Sequence, residues 1–232
     1  MSSNHRIRLR LLRIAIVTAI VLLMVGVVIW AAFTLSPQQD RPTGTTASVA
    51  SAGPEDVVCG EYSRFSGEYV EDGQGQPVQY VAAMLVTNQS DAFLDLATLT
   101  YLIDGKEATF VVTGLPPKTS AWVMEKNRMT IGENAVFQRK DCSAAFREHG
   151  GFTGEISLLA DGHNLTAINE TDKTLKNVYV YYKVLHSDGN FFGGITYRVG
   201  FGDLAPDAAV EKIAGHYTKD GAQVVRITWQ DE

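Results

Sequence analysis

From Val57 onward, short apolar runs alternate with polar positions and are separated by Gly, Asp and Asn. Period-two alternation over such runs is the pattern of strands with one buried face. In the first part it predicts strands at Val78–Thr87, Leu94–Ile103, Ala108–Val112, Ser120–Met129 and Ala135–Arg139. In the second part it predicts Glu155–Ala160, Leu165–Asn169, Leu175–Leu185, Gly194–Phe201, Ala209–Ala214 and Ala222–Trp229. Asp104-Gly105, Asp161-Gly162, Ser187-Asp-Gly-Asn190 and Lys219-Asp-Gly221 read as the turns between them. Gly114-Leu-Pro-Pro117 reads as a loop, because proline cannot donate to a central ladder. A short helical turn is expected around Cys142–His149, and Gly150-Gly151 marks a boundary between two modules.

A different pattern precedes this. Ile14 to Phe33 is apolar without a charge, and no charged residue returns until Asp40. About 20 helical residues rise roughly 30 Å, the thickness of a bilayer's hydrocarbon core. Arg6, Arg8, Arg10 and Arg13 precede it with no acidic residue, which places the N-terminus in the cytoplasm. Residues 1–13 then form a basic tail and 14–35 a transmembrane helix, with everything after it outside. The alternative is a cleaved signal peptide, whose apolar region is shorter and is followed closely by small residues. Here Trp30 and Phe33 stand at the outer end, and Ala50-Ser-Ala52 lies well beyond it. Residues 36–56, rich in Ser, Thr, Ala, Gly and Pro, read as a disordered linker.

Charge sharpens the picture. The chain carries −6, so the part beyond the four arginines carries about −10, which argues against nucleic acid or an anionic lipid surface as ligand. Both cysteines, Cys59 and Cys142, lie beyond the apolar span. In an oxidising compartment they are a candidate disulfide closing about 83 residues; the other reading is two buried thiols. Without a Cys-x-x-Cys pair, zinc-ribbon and thioredoxin-type readings fail.

The two parts repeat. Asn88-Gln-Ser-Asp-Ala-Phe-Leu, leading to Tyr101, matches Asn169-Glu-Thr-Asp-Lys-Thr-Leu, leading to Tyr182, at an offset of 81. Leu115-Pro-Pro117 matches Leu204-Ala-Pro206 at an offset of 89. The second copy therefore holds about eight extra residues, around His186–Gly194. The Asn-x-(Ser/Thr)-Asp turn, the strand ending in Tyr181-Tyr182 before Ser187-Asp-Gly189, and Leu204-x-Pro206 resemble bacterial extracytoplasmic FxLYD-type β-sandwich domains. The resemblance covers most of 151–232 and, more loosely, 78–130. It implies small modules on membrane-anchored proteins and carries no catalytic residues. The expected fold is all-β: two tandem immunoglobulin-like β-sandwiches, 57–149 and 150–232, behind one transmembrane helix.

Chemistry-bearing motifs are sparse. No Gly-x-Ser-x-Gly, His-Glu-x-x-His or Walker sequence occurs. His149, His163, His186 and His216 lack metal-ligand spacing, and Ser187-Asp-Gly-Asn190 lacks the downstream acids of a calcium loop. No catalytic residue, metal or cofactor is expected. Asn88, Asn164 and Asn169 begin glycosylation sequons but read better as turn residues. The copies differ on one strand face: Thr98, Thr100 and Leu102 in the first, Tyr179, Tyr181 and Lys183 in the second. Tyr179, Tyr181, Phe191 and Phe192 thus form a candidate binding patch, or else pack across strands or between modules. These readings point to a non-catalytic envelope accessory protein contacting the bilayer through Ile14–Phe33 and an envelope protein or wall polymer outside. A structural spacer in a secretion or pilus-type assembly is the alternative, and an envelope hydrolase a distant third.

Overall fold

The computed structural model describes residues 52–68, 77–148 and 154–230. The basic tail, the Ile14–Phe33 span, most of the linker and the Gly150-Gly151 boundary lie outside the described residues. Among the described residues no helix is long and apolar enough to cross a membrane. The linker's last residues are ordered: Pro54–Asp56 is a single 3-10 turn leading into the first strand.

Among the described residues, twelve strands follow. They are β1 (Val57–Glu68), β2 (Pro77–Asn88), β3 (Phe93–Ile103), β4 (Lys106–Leu115), β5 (Ser120–Met124) and β6 (Phe137–Arg147), then β7 (Ile156–Asp161), β8 (Asn164–Asn169), β9 (Leu175–Leu185), β10 (Phe191–Leu204), β11 (Ala209–Ile213) and β12 (Ala222–Gln230). β1-β2-β5 packs on β4-β3-β6, and β7-β8-β11 packs on β10-β9-β12. The second set repeats the first with every strand advanced by six. Alternation builds both cores. Ala97, Leu99, Tyr101 and Ile103 of β3 meet Ala82, Met84 and Val86 of β2. Val178, Val180 and Tyr182 of β9 meet Leu165 and Ala167 of β8.

The two sandwiches share one sheet. β5 and β10 pair in parallel, Ala121 with Phe191 and Trp122 with Phe192, giving the continuous order β1-β2-β5-β10-β9-β12. Phe191 joins the first core whereas Val178, Val180 and Tyr182 of the same sheet join the second. The two cores therefore lie on opposite faces of this sheet.

Two expectations are corrected, and one strand is added. The region of Cys142–His149 is strand to Arg147, because Cys142, Ala144 and Phe146 alternate towards the first core and pair along β3; this outweighs the helix propensity of Ala and Arg. The strand expected over Ser120–Met129 ends at Met124. There the buried Glu125 carboxylate accepts the backbone N–H of Asn127 (2.7 Å) and Met129 (2.9 Å), turning the chain. β1, unassigned in the sequence pattern, is a twelve-residue edge strand with two register shifts along β2.

Candidate binding surface

The repeated turn is a repeated hydrogen-bond cage. Asn88 Nδ2 donates to the carbonyls of Ala92 (2.8 Å), Leu115 (3.0 Å) and Pro116 (3.1 Å). Its Oδ1 accepts from Ser90 N (3.0 Å) and Oγ (2.7 Å). Asn169 does the same with Lys173 (2.7 Å), Leu204 (3.0 Å) and Ala205 (3.0 Å), and with Thr171 N (2.9 Å) and Oγ1 (2.7 Å). Both asparagines are fully buried, so these sequons are structural.

The eight extra residues of the second copy form the junction. Tyr101 faces Ala108 across the tight Asp104-Gly105 hairpin, whereas Tyr182 faces Tyr197. The longer His186–Asn190 connection and a bulge between Phe192 and Tyr197 absorb the difference and carry the start of β10 to β5. The bulge presses on β4: a Cβ on Gly194 would lie 2.0 Å from the Val111 carbonyl oxygen. Lys183, expected on an outer face, is fully buried here. Its Nζ donates to the carbonyls of Thr113 (3.1 Å), Gly194 (3.3 Å) and Ile195 (2.8 Å). A buried ammonium needs such a ring of acceptors to offset lost hydration.

This junction divides the four aromatic candidates. Phe191 is 3% exposed, packed in the first core, so it is not a surface residue. Phe192 faces the other way, against Val81, Ala83 and Met124, with Phe65 at 5.2 Å between ring centroids and His186 stacked at 5.7 Å. Beside it, Trp122 Nε1 donates to Asp188 Oδ2 (2.8 Å), which holds that carboxyl well below its ordinary range. Asp188 Oδ1 accepts from Asn190 N (2.9 Å) and sits 3.0 Å from His186 Nδ1, so the Ser187–Asn190 loop is a closed hairpin. Among the described residues no group of three His, Cys, Asp or Glu is placed to hold a metal ion.

Tyr179 and Tyr181 stay together on the face of β10-β9-β12 opposite the second core, in two cross-strand rows. Arg198, Tyr181 and Arg226 form one; Gly200, Tyr179 and Thr228 form the other. Arg198 lies 4.7 Å from the Tyr179 ring centroid, and Arg226 lies 5.6 Å from that of Tyr181. Gly200 leaves room for the Tyr179 ring, since a Cβ there would approach it to 3.1 Å. Tyr181 also packs against the first core. Asp95 of β3 pairs with Arg147 and lies 3.9 Å from Arg226, tying this face to the first sandwich. Arg198 is exposed and both tyrosines are half-buried.

The arrangement is a pair of half-buried tyrosine rings, each with a guanidinium beside it. It can bind planar or acidic groups by stacking and charge-assisted hydrogen bonds. The two arginines escaped the sequence reading because each meets its tyrosine across strands, from β10 and β12 onto β9, a pairing with no signature within one strand. Cys59 and Cys142, half-buried on β1 and β6, are not bonded to each other in the structure. No protein-family model matches the chain, and no curated protein is significantly similar to it.

Proposed function

We propose that this is a non-catalytic, membrane-anchored accessory protein of the bacterial envelope. Ile14–Phe33 anchors it with the N-terminus inside, two FxLYD-like modules stand outside, and the Tyr179–Tyr181–Arg198 face engages an acidic envelope partner. The observation that carries this reading is the exposed Arg198 over the half-buried Tyr179 ring, at 4.7 Å. Tyr and Arg concentrate at the energetic centres of protein interfaces, and a cationic aromatic face on a chain of net charge −6 favours partners with acidic segments.

The spacer reading has its own support in the continuous six-stranded sheet, which joins the halves into one compact unit. Crosslinking in intact cells, then purification of the full-length protein and mass spectrometry, separates the two. The binding reading expects a defined partner recovered with the parent chain and lost from Tyr179→Thr/Arg198→Gln, at unchanged melting temperature. Undiminished recovery from that variant, in fixed stoichiometry with a large complex, overturns it in favour of the spacer.

A further inference from the structure

The first sandwich closes its two open sides differently. On one side β4 and β5 meet through backbone: Lys126 N donates to the Thr109 carbonyl (2.8 Å), and Phe110 bridges Glu125. On the other side, among the described residues, no ladder joins the edge strands β1 and β6, which lie in different sheets. Tyr62 stacks on Phe137 at 4.3 Å. Arg139 Nη1 and Nη2 donate to the carbonyls of Val57 and Pro54, each at 3.4 Å, and Cys142 Sγ donates to Pro54 O at 3.8 Å.

Both cysteines sit in this seam. Cys59 lies opposite Val86, and Cys142 opposite Leu99. Those partners are fully buried, and residues directly opposite share a face, so both thiols point between the layers, where both pack against the same core. The Arg139 charge reaches both thiols.

We propose that Cys59 and Cys142 are joined by a disulfide that closes this seam, tying the first sheet to the second where the chain enters the first sandwich. Its occurrence in cells rests on the extracytoplasmic placement proposed above; its formation in the purified chain does not. The oxidant is an external disulfide. One cysteine thiolate attacks a sulfur of that disulfide and displaces a thiol, and the second thiolate attacks the mixed disulfide and displaces the other. Two protons and two electrons leave the protein, and the external disulfide is reduced to two thiols. Burial raises both thiols, with the Arg139 charge opposing it, so exchange quickens towards alkaline pH. The bridge matters for load: β1 is an edge strand whose only sheet neighbour among the described residues is β2, so tension from its N-terminal end peels it, and a bond at Cys59 stops the peeling there.

The test is to equilibrate reduced full-length protein with oxidised glutathione under native conditions, quench in acid, unfold, alkylate with N-ethylmaleimide and weigh it. The expected product is a monomer lighter by two hydrogens, without maleimide, that yields a Cys59–Cys142 linked peptide. Its melting temperature falls by about 10 °C on reduction. Cys59→Ser and Cys142→Ala chains show no such fall, and the parent chain with and without reductant gives the comparison even if either variant misfolds. Two maleimides, or one glutathione on each cysteine, at saturating oxidant overturn the proposal. The purified chain tests the pair. Thiols trapped directly in cells test the compartment: a chain that bridges when purified but is reduced in cells overturns the extracytoplasmic placement and leaves the pairing standing.

Discussion

Lys183 on β9 donates from Nζ to the carbonyl oxygen of Thr113 on β4 at 3.1 Å, so a cation of the second sandwich is held by the first. The same ammonium holds the Gly194 and Ile195 carbonyls of the β10 bulge. Lys183→Met keeps the stem's apolar contacts but removes the charged donor from three carbonyls, of which Thr113 and Gly194 keep hydroxyl donors from Thr196 (2.7 Å) and Thr113 (3.2 Å), at about 2 kcal/mol. The expected outcome is a single calorimetric unfolding transition in the parent chain and two separated transitions in the variant. One unchanged transition in the variant would show that the latch does not couple the halves.

Asn88 and Asn169 supply a matched pair of substitutions. Asn88→Asp replaces a donor aimed at three carbonyls with an acceptor, and Asn169→Asp does the same 81 residues on. Each loses its charge-neutral cage and buries repulsion, costing about 3 kcal/mol or more. Urea unfolding reads this as lower midpoints of similar size for both variants. If either midpoint stays put, that cage is not what holds its turn.

These cages explain how much of the fold the chain announces. A buried Asn that must satisfy fixed carbonyls recurs with its turn, so Asn88 and Asn169 mark the repeat, and alternation does the rest for β3 and β9. What the chain conceals are relations between distant residues. The β5–β10 pairing joins Trp122 to Phe192 through backbone atoms that carry no side-chain signature. Lys183 looks like a solvent-facing charge until the carbonyls of another strand surround it. Phe191 reads as surface because its core belongs to the other sandwich. β1 escapes because Gly60-Glu61 and Ser66-Gly67 break its alternation where the register shifts. The candidate patch was half legible: Tyr179 and Tyr181 share a face, but their guanidinium partners come from β10 and β12.

Alkaline pH probes the buried tyrosines. Tyr101, 1% exposed, is raised far above its ordinary value of 10.0, first by burial and then by hydrogen bonds with Cys59 and Tyr62. Burial likewise raises Tyr182 and Tyr217. A group raised in the folded state stays neutral there while the unfolded chain ionises, so its contribution is whole below pH 10 and declines above it. Each such tyrosine adds a slope of up to about 1.4 kcal/mol per pH unit. In reduced protein the two thiols, raised by burial from 9.0, begin the decline earlier; a bridged chain lacks that first step. Stability from urea titrations between pH 8 and 11 should therefore be level and then fall, later in oxidised than in reduced protein. Tyr101→Phe should lessen the slope above pH 10 while lowering stability at pH 8, because Phe keeps the ring and loses the hydroxyl's hydrogen bonds. An equal slope in parent and variant would mean that the Tyr101 hydroxyl ionises as readily in the folded protein as in the unfolded chain.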